Sequence, residues 1–132
     1  MKDAKCLAKK NGTSNIIELE DKSTEGTILY KTVEFGKEVL NDCEWTYNKI
    51  RIYEDGRYED EFRLYDKGTI FGDNFWWAII IYINTDVRIA DWWNVESLGA
   101  GETKADIQKG LRSAIRDHYS RIDYVGYTRV CD

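Results

Sequence analysis

The residue best suited to acid–base chemistry is His118, the one histidine of the 132-residue chain. An imidazole changes charge near neutral pH and can act as a general base. Asp91 and Tyr119 are the polar residues that could join His118 in a pocket between a sheet and a helix. The chain carries no GxSxG, P-loop or HExxH pattern, and a partly buried histidine that contacts a neighbour is the more ordinary arrangement. A small-molecule or nucleotide-binding enzyme is therefore the alternative hypothesis.

Carboxylates concentrate in segment 54–66. A glycosidase-like pair or a cation site would need two of them to converge in a cleft. Cross-strand pairing instead predicts that Glu59 faces Arg51 and that Glu61 faces Lys49, so that a solvated, partly neutralised face results. Unpaired carboxylates could imitate nucleic-acid phosphates or dock a basic partner; they are Glu54, Asp55 and Asp60.

Aromatic residues give the most unusual signal, at 14% of the chain. Four of the five tryptophans lie in one predicted hairpin: Trp76, Trp77, Trp92 and Trp93. One helix covers only one face of a sheet, so the other face needs internal cover, a second copy or a partner. Surfaces rich in Trp, Tyr and Arg are typical of binding hot spots. The predicted face comprises Trp76, Tyr82, Arg88 and Trp92.

The three cysteines do not form a metal-binding pattern. Cys6, Cys43 and Cys131 are an odd number at wide spacings without any CxxC pair. They are interpreted as reduced thiols in a cytoplasmic setting. No metal site and no cofactor are expected, and a zinc site that combines His118 with the cysteines is not indicated by the spacing.

Charge and hydropathy limit the classes of partner. The net charge is −5, which disfavours a general nucleic-acid binder because phosphate neutralisation dominates such binding. Basic residues at helical spacing, Lys109, Arg112 and Arg116, could meet RNA phosphates, but a solvated helix face is favoured. No apolar run approaches the roughly 20 residues of a membrane span, and the N-terminal residues do not have the pattern of a signal peptide.

The first hairpin has a register that the sequence specifies. Segments 47–53 and 57–65 alternate in the strand period around Glu54-Asp55-Gly56. A two-residue turn would place carboxylates on the apolar face. A three-residue loop with Gly56 left-handed at a bulge instead pairs Ile52 with Tyr58 and keeps both faces consistent.

The second hairpin joins segments 75–83 and 87–93. The same argument predicts a three-residue loop that pairs Ile83 with Val87 and Trp77 with Trp93. Trp77 and Trp93 then face one side, and Trp76 and Trp92 face the other.

The remaining elements complete an α+β prediction. Thr103 to Asp106 matches a capping box, and apolar residues follow at helical spacing, so a long amphipathic helix is expected at 103–122 on one face of the sheet. Segment 33–45 is ambiguous, with a possible short helix near 34–43. Strands are expected at 16–20, 27–32 and 124–130, and the last of them is a candidate edge strand.

The sequence thus predicts a single domain over 1–132, with about 5–7 antiparallel strands and residues 1–15 as a possible flexible arm. The leading hypothesis is a non-catalytic interaction or inhibitor protein with a protein partner. Its size and acidity are typical of phage or mobile-element factors, including nucleic-acid mimics that block a host enzyme. A homodimer through the aromatic face or the final strand is a further option.

Overall fold

Two antiparallel sheets make up most of the molecule. A computed structural model describes residues 12–25 and 28–132, and 66% of the structure is strand. The strands are β1 (Gly12–Glu18), β2 (Glu20–Glu25), β3 (Ile28–Phe35), β4 (Glu38–Leu40), β5 (Cys43–Tyr53), β6 (Arg57–Asp66), β7 (Asp73–Tyr82), β8 (Arg88–Leu98), β9 (Thr103–Leu111) and β10 (Tyr124–Cys131). A short α1 (Ser113–His118) and a 3-10 turn (Tyr119–Arg121) separate β9 from β10.

The sheets pack face to face over one main core. Sheet A has the strand order β1-β10-β7-β8, and sheet B has the order β2-β3-β5-β6-β9, with β4 beside β5. Trp77 of sheet A lies at the centre, with its ring 4.9 Å from that of Phe62 and 6.3 Å from that of Trp45 in sheet B. All three are buried, as expected for inward positions of a β-sandwich.

The predicted long helix at 103–122 is wrong. Thr103–Leu111 is the edge strand β9, which pairs with β6 from Tyr65↔Thr103 to Arg57↔Leu111. Helical structure in the described residues is confined to 113–121. Gly110 lies directly beneath the ring of Tyr58, where an added Cβ would come within 2.3 Å. A glycine that disfavours a helix by about 1 kcal/mol therefore serves close packing in a sheet.

The predicted α+β class is also wrong, because the structure is mostly antiparallel sheet with one short helix. The possible helix near 34–43 is wrong as well. β3 continues to Phe35 and is followed by β4, which pairs with β5 through Leu40↔Cys43. The intervening turn contains Asn41, which has a positive φ of 51°. Asparagine is one of the few residue types that tolerate this conformation. A local hairpin thus occupies the segment.

The first predicted hairpin register is confirmed. Ile52 pairs with Tyr58, Arg51 with Glu59 and Lys49 with Glu61. Gly56 has φ 96°, in the left-handed region, and its N–H donates to the carbonyl of Tyr53 at 3.0 Å.

The second hairpin departs from its predicted register. Its tip keeps the expected pairing, since the N–H of Ile83 donates to the carbonyl of Val87 at 3.0 Å. A bulge then shifts the register between Ile81 and Tyr82, so that Trp77 faces Asn94 instead of Trp93. A one-residue shift moves every later side chain to the opposite face. Trp92 accordingly points into the core and Trp93 points out.

The cysteine prediction is also wrong. Cys43 of sheet B and Cys131 of sheet A form a disulfide with a Cα–Cα distance of 5.7 Å. The bond joins the two sheets at one end, where Cys131 pairs with Phe75 and Cys43 with Asp66. Cys6 lies outside the described residues. Sequence spacing did not reveal the pair because 88 residues separate its members.

The chain ends differ from the predictions in smaller ways. The expected final strand is present as β10, but it lies between β1 and β7 instead of at an edge. Residues 12–15 of the expected arm belong to β1, which pairs with β10, and residues 1–11 lie outside the described residues. The strands predicted at 16–20 and 27–32 overlap β1, β2 and β3. No helix in the described part of the chain is both long and apolar enough to span a membrane.

Candidate binding face

Two tryptophans lie side by side on the outer face of sheet A. Trp76 is 39% exposed and pairs across the strands with Val95, which is 49% exposed. Trp93 is 42% exposed and pairs with Ala78, two residues along from Trp76. Diagonal neighbours on one sheet face are within reach of aromatic side chains. We refer to Trp76, Trp93 and Val95 as the tryptophan face.

Polar pairs border the tryptophan face on the same side of the sheet. The Arg88 guanidinium forms an ion pair with the carboxylate of Asp91. At the other end, the hydroxyl of Ser97 donates to the side-chain oxygen of Asn74 at 2.5 Å. Each of these two described pairs is therefore neutral overall.

Part of this sheet face is buried. Ile80 and Tyr82 are 2% and 0% exposed and form a second apolar cluster with Tyr124. Of the predicted partner-binding aromatics, Tyr82 is thus inaccessible, and Trp92 is inaccessible as well because it faces the main core. Trp76 is accessible, and Arg88 is exposed at the rim. Trp93 takes the position that the sequence assigned to Trp92.

The outer face of sheet B has a different character. Glu59 lies between Arg51 at 4.0 Å and Lys109 at 3.7 Å, and Lys49 lies opposite Glu61. Such exposed pairs contribute little to stability, but they form an ordinary solvated face in which opposite charges alternate. Tyr65 is 37% exposed on this face, but both exposed tryptophans, Trp76 and Trp93, lie on sheet A.

Asp60 lies inside the core and not on the acidic hairpin surface. Its Oδ2 accepts hydrogen bonds from Trp77 Nε1 at 3.1 Å, Trp92 Nε1 at 3.2 Å and Asn94 Nδ2 at 2.6 Å. Its Oδ1 accepts from Asn48 Nδ2 at 2.6 Å. The residue is fully buried. Its parity, shared with Tyr58 and Phe62, was the sequence signal that placed it inward.

Burial raises the pKa of Asp60 to about 6. The hydrogen bonds from Trp92, Asn48 and Trp77, together with the positive charge of Arg129, act in the opposite direction. The carboxylate form matches its surroundings because every contacting group is a donor.

Arg129 extends the buried network towards sheet B. Its guanidinium donates to Glu38 Oε1 at 2.8 Å and to Asn48 Oδ1 at 3.3 Å. It also lies 4.3 Å from the centre of the Tyr127 ring. The network joins the buried residues Asp60, Asn48 and Arg129 to the half-buried Glu38, and buried polar networks of this kind favour a single packing of a core.

Glu54 and Asp55, the other two acidic residues predicted to bind a partner, form local contacts in the turn. Glu54 Oε1 accepts the backbone N–H of Leu29 at 3.2 Å. Asp55 forms an ion pair with Arg57 at 2.8 Å. These contacts hold the tip of the first hairpin.

The predicted pocket residues do not share one site. Asp91 lies on the outer face of sheet A, whereas Tyr119 packs against the main core. His118 Nδ1 lies 2.6 Å from a guanidinium nitrogen of Arg121, at an exposed position. Lys31 Nζ donates to the carbonyls of Tyr119 and Ile122, both at 2.9 Å, which anchors the 3-10 turn.

Comparisons with known proteins give no family for this chain. No protein-family model matches the sequence, and no curated protein matches it.

Proposed function

We propose that the protein is a non-catalytic binding protein that engages a protein partner through the tryptophan face. The observation that carries this proposal is the adjacency of Trp76 and Trp93 on an outer sheet face, each about two-fifths exposed. Tryptophan is the residue most enriched among binding hot spots.

The contrast between the two outer sheet faces supports the proposal. The solvent side of sheet B combines opposite charges with exposed apolar residues such as Tyr65, Ile107 and Leu111, but it exposes no tryptophan. Sheet A, in a protein with the same requirement for solubility, leaves two indoles and Val95 in water. Contiguous exposed apolar surface with a polar rim is typical of interaction sites.

The chemistry favours a protein over a nucleic acid. The chain carries a net charge of −5, and the one arginine at the rim, Arg88, is ion-paired with Asp91. The site therefore lacks an excess of positive charge for phosphates. A flat, apolar centre with a neutral polar border resembles the core and rim of a protein–protein interface.

The test compares the wild-type protein with a Trp76→Ser/Trp93→Ser double variant. Ile107→Ser is the matched control, because Ile107 is 44% exposed on the outer face of sheet B. Proteins recovered on each immobilised protein are identified by mass spectrometry, and the partner is then purified and titrated by calorimetry. We expect the double variant to bind about 100-fold more weakly, since loss of a hot-spot aromatic costs about 2–4 kcal/mol. The control is expected to bind normally.

Equal binding of the partner by the double variant would remove the tryptophan face from the proposal. Sedimentation of the isolated chain tests whether a second copy of this chain, and not a foreign partner, occupies the tryptophan face. A dimer that dissociates in the double variant but persists in Ile107→Ser would replace the foreign partner with a second copy of this chain.

We propose that the protein acts in an oxidising compartment, in place of the expected cytoplasm. Disulfides persist mainly where the environment is oxidising, so the Cys43–Cys131 bond supports such a compartment. Differential alkylation of the protein in its native host tests this: the pair is expected to resist alkylation until a reductant is added, and full labelling without reductant would contradict it.

A further inference from the structure

One edge of sheet A is formed by β8, and the direction of its main-chain groups follows from β7. The N–H of Asn74 donates to the carbonyl of Asp132 at 2.7 Å, and the N–H of Asp132 donates to the carbonyl of Asn74 at 2.9 Å. Main-chain groups alternate in direction along an antiparallel strand. Even-numbered residues of β7 therefore bond to β10, and odd-numbered residues bond to β8.

The two residues of the tryptophan face that lie in β8 also direct their main chain to the open edge. Trp93 and Val95 pair with Ala78 and Trp76, which are even-numbered and bond to β10. The N–H and carbonyl groups of Trp93 and Val95 therefore point away from sheet A. Within the described residues they have no hydrogen-bond partner. A row of free donors and acceptors thus lies directly beside two exposed apolar side chains.

Sheet A ends one strand earlier than sheet B on this side of the molecule. Asp60 of β6 bonds to Trp92 and Asn94 of β8, so β8 lies over β6. β9 lies beyond β6, and no strand of sheet A in the described part of the chain covers it. A space about one strand wide, roughly 5 Å in the pairing direction, therefore lies beside β8 and over β9.

The floor of this space is polar. Lys104, Asp106 and Gln108 of β9 pair with buried residues of β6 and therefore point towards sheet A, yet all three are exposed. At one end, Lys104 Nζ donates to Glu96 Oε2 of β8 at 2.6 Å. Asp106 places a negative charge in the middle of the floor. We refer to the open edge of β8 together with this floor as the β8 shelf.

The neighbouring edges of the two sheets differ in their protection against strand addition. On β9, the inward-pointing charged residues Lys104 and Asp106 are a usual means of blocking an edge. Asp106 Oδ1 also accepts the N–H of Ile107 at 2.8 Å. β8 carries no charged residue from Trp92 to Val95. The edge beside the tryptophan face is thus the unprotected one.

Resting on the proposed function, we propose that the partner binds by strand addition, with an extended segment that pairs with the open edge of β8 and lies over β9. An edge of alternating donors and acceptors is complementary to another extended backbone. Side chains of the added strand alternate between its two faces. Those opposite Trp93 and Val95 are apolar, and those between them are basic or polar because they face Asp106 and Gln108.

The probe is a phage-displayed library of random linear peptides of about 12 residues, which is long enough for one strand and its flanks. The library is selected on the immobilised, disulfide-bonded wild-type protein. We expect enrichment of peptides in which apolar residues alternate with basic or polar ones. The enriched peptides are then synthesised and titrated by calorimetry against the wild type and its variants.

Val95→Pro and Val95→Ala are the matched variants. Both shorten the side chain, but proline also removes the outward N–H and places its ring on the open edge, while the hydrogen bonds to β7 remain. We expect the selected peptides to bind Val95→Pro at least about 10-fold more weakly than Val95→Ala, because one hydrogen bond is lost and the ring obstructs the added strand. Circular dichroism and thermal melting check that both variants fold.

Amide hydrogen exchange of the wild type, followed by NMR, is a second measurement that needs no variant. A bound peptide is expected to slow exchange at Trp93 and Val95 by about 10-fold or more, because their N–H groups gain acceptors. Exchange at Ile107, on the edge of β9, is expected to stay unchanged. If Val95→Pro does not fold, this measurement alone decides the outcome.

Equal peptide binding by Val95→Pro and Val95→Ala, or unchanged exchange at Trp93 and Val95 on binding, would overturn strand addition. Failure of the wild type to enrich any peptide would overturn it as well. The Trp76→Ser/Trp93→Ser variant separates this inference from the proposed function. If that variant loses binding while the two Val95 variants bind equally, the tryptophan face remains the binding site and only strand addition is rejected.

Discussion

Trp92 donates its indole N–H to Asp60 Oδ2 at 3.2 Å, across the space between the two sheets. The ring of Trp92 also stacks on Tyr58, with ring centres 3.8 Å apart and planes 17° apart. A single residue of β8 thus contributes both apolar area and a donor to the buried hydrogen-bond network around Asp60. Its neighbour Trp93 points to solvent.

Replacing Trp92 and Trp93 separately tests which of the two is inside. Trp92→Ala is expected to lower the free energy of unfolding by about 3–5 kcal/mol, because it leaves a cavity and removes a donor to Asp60. Trp93→Ala is expected to lower it by less than about 1 kcal/mol. Urea unfolding followed by far-UV circular dichroism measures both values. Similar losses for the two variants would contradict the bulge in β8.

The two hairpins show what the sequence can and cannot specify. In 47–65, the apolar residues of both strands share one parity, with Asp60 as an exception, so only one register keeps the carboxylates Glu59 and Glu61 off the apolar face. In 75–93, both parities carry large apolar residues, including Trp92 and Trp93. A shift of the register by one residue therefore leaves the inward face just as apolar. The bulge was therefore invisible, and the binding face was assigned to the wrong tryptophan.

The helix prediction failed because the apolar residues of 103–122 fall at helical spacing by chance. This spacing was given more weight than Gly110, which disfavours a helix. Ile107 and Leu111, two supposed core positions, are 44% and 63% exposed. Ile115 and Ile122 are buried, but they lie after the strand. Backbone pairing with β6, which depends on residues some 45 positions earlier, decided the structure of β9. Local sequence carries no record of such a partner.

Asp60 is expected to make folding stability depend on pH. Its pKa is about 6 in the folded protein against an ordinary 3.8, so the folded state holds this proton more tightly than the unfolded state. The tighter binding of this proton stabilises the folded state. The stabilisation is fully present below about pH 3.8 and is lost as the pH rises through 6. The difference between the folded and unfolded pKa values corresponds to about 3 kcal/mol of folding free energy.

NMR titration of the Asp60 side-chain carboxyl carbon measures this pKa directly, with an expected midpoint near 6. A midpoint at or below 4 would contradict the prediction. As a second measure, unfolding free energies at pH 4 and pH 8 are compared between the wild type and Asp60→Asn. The wild type is expected to lose about 2.4 kcal/mol more than the variant over this range, because the unfolded carboxyl group is already partly ionised at pH 4.

Loss of the disulfide is expected to cost about 4–5 kcal/mol in the chain-entropy description of an 88-residue loop. Cys43→Ala/Cys131→Ala is compared with the parent by guanidinium unfolding, with Cys6→Ser present in both so that no other pairing occurs. Addition of a reductant should destabilise the parent and leave the double variant unchanged. Identical midpoints for the oxidised parent and the double variant would show that the bond does not form.

Gly110→Ala tests the close approach of β9 to β6. The new methyl group would come within 2.3 Å of the Tyr58 ring, so the ring must move, and we expect a loss of about 1–3 kcal/mol. Gly36→Ala is the matched control, because an added Cβ there meets nothing within 4 Å. Chemical denaturation measures both variants. A loss at Gly110 no larger than that at Gly36 would mean that Tyr58 does not cover this position.

The bond between Cys43 and Cys131 also determines how the molecule responds to proteases. A single backbone cut anywhere between these residues, including the loop that exposes Ile70 and Phe71 (78% and 80% exposed), leaves both fragments covalently attached. The nicked protein keeps the mass of the whole chain plus one water until a thiol separates the pieces. A host protease would therefore need two cuts to release any segment that lies inside this covalent ring.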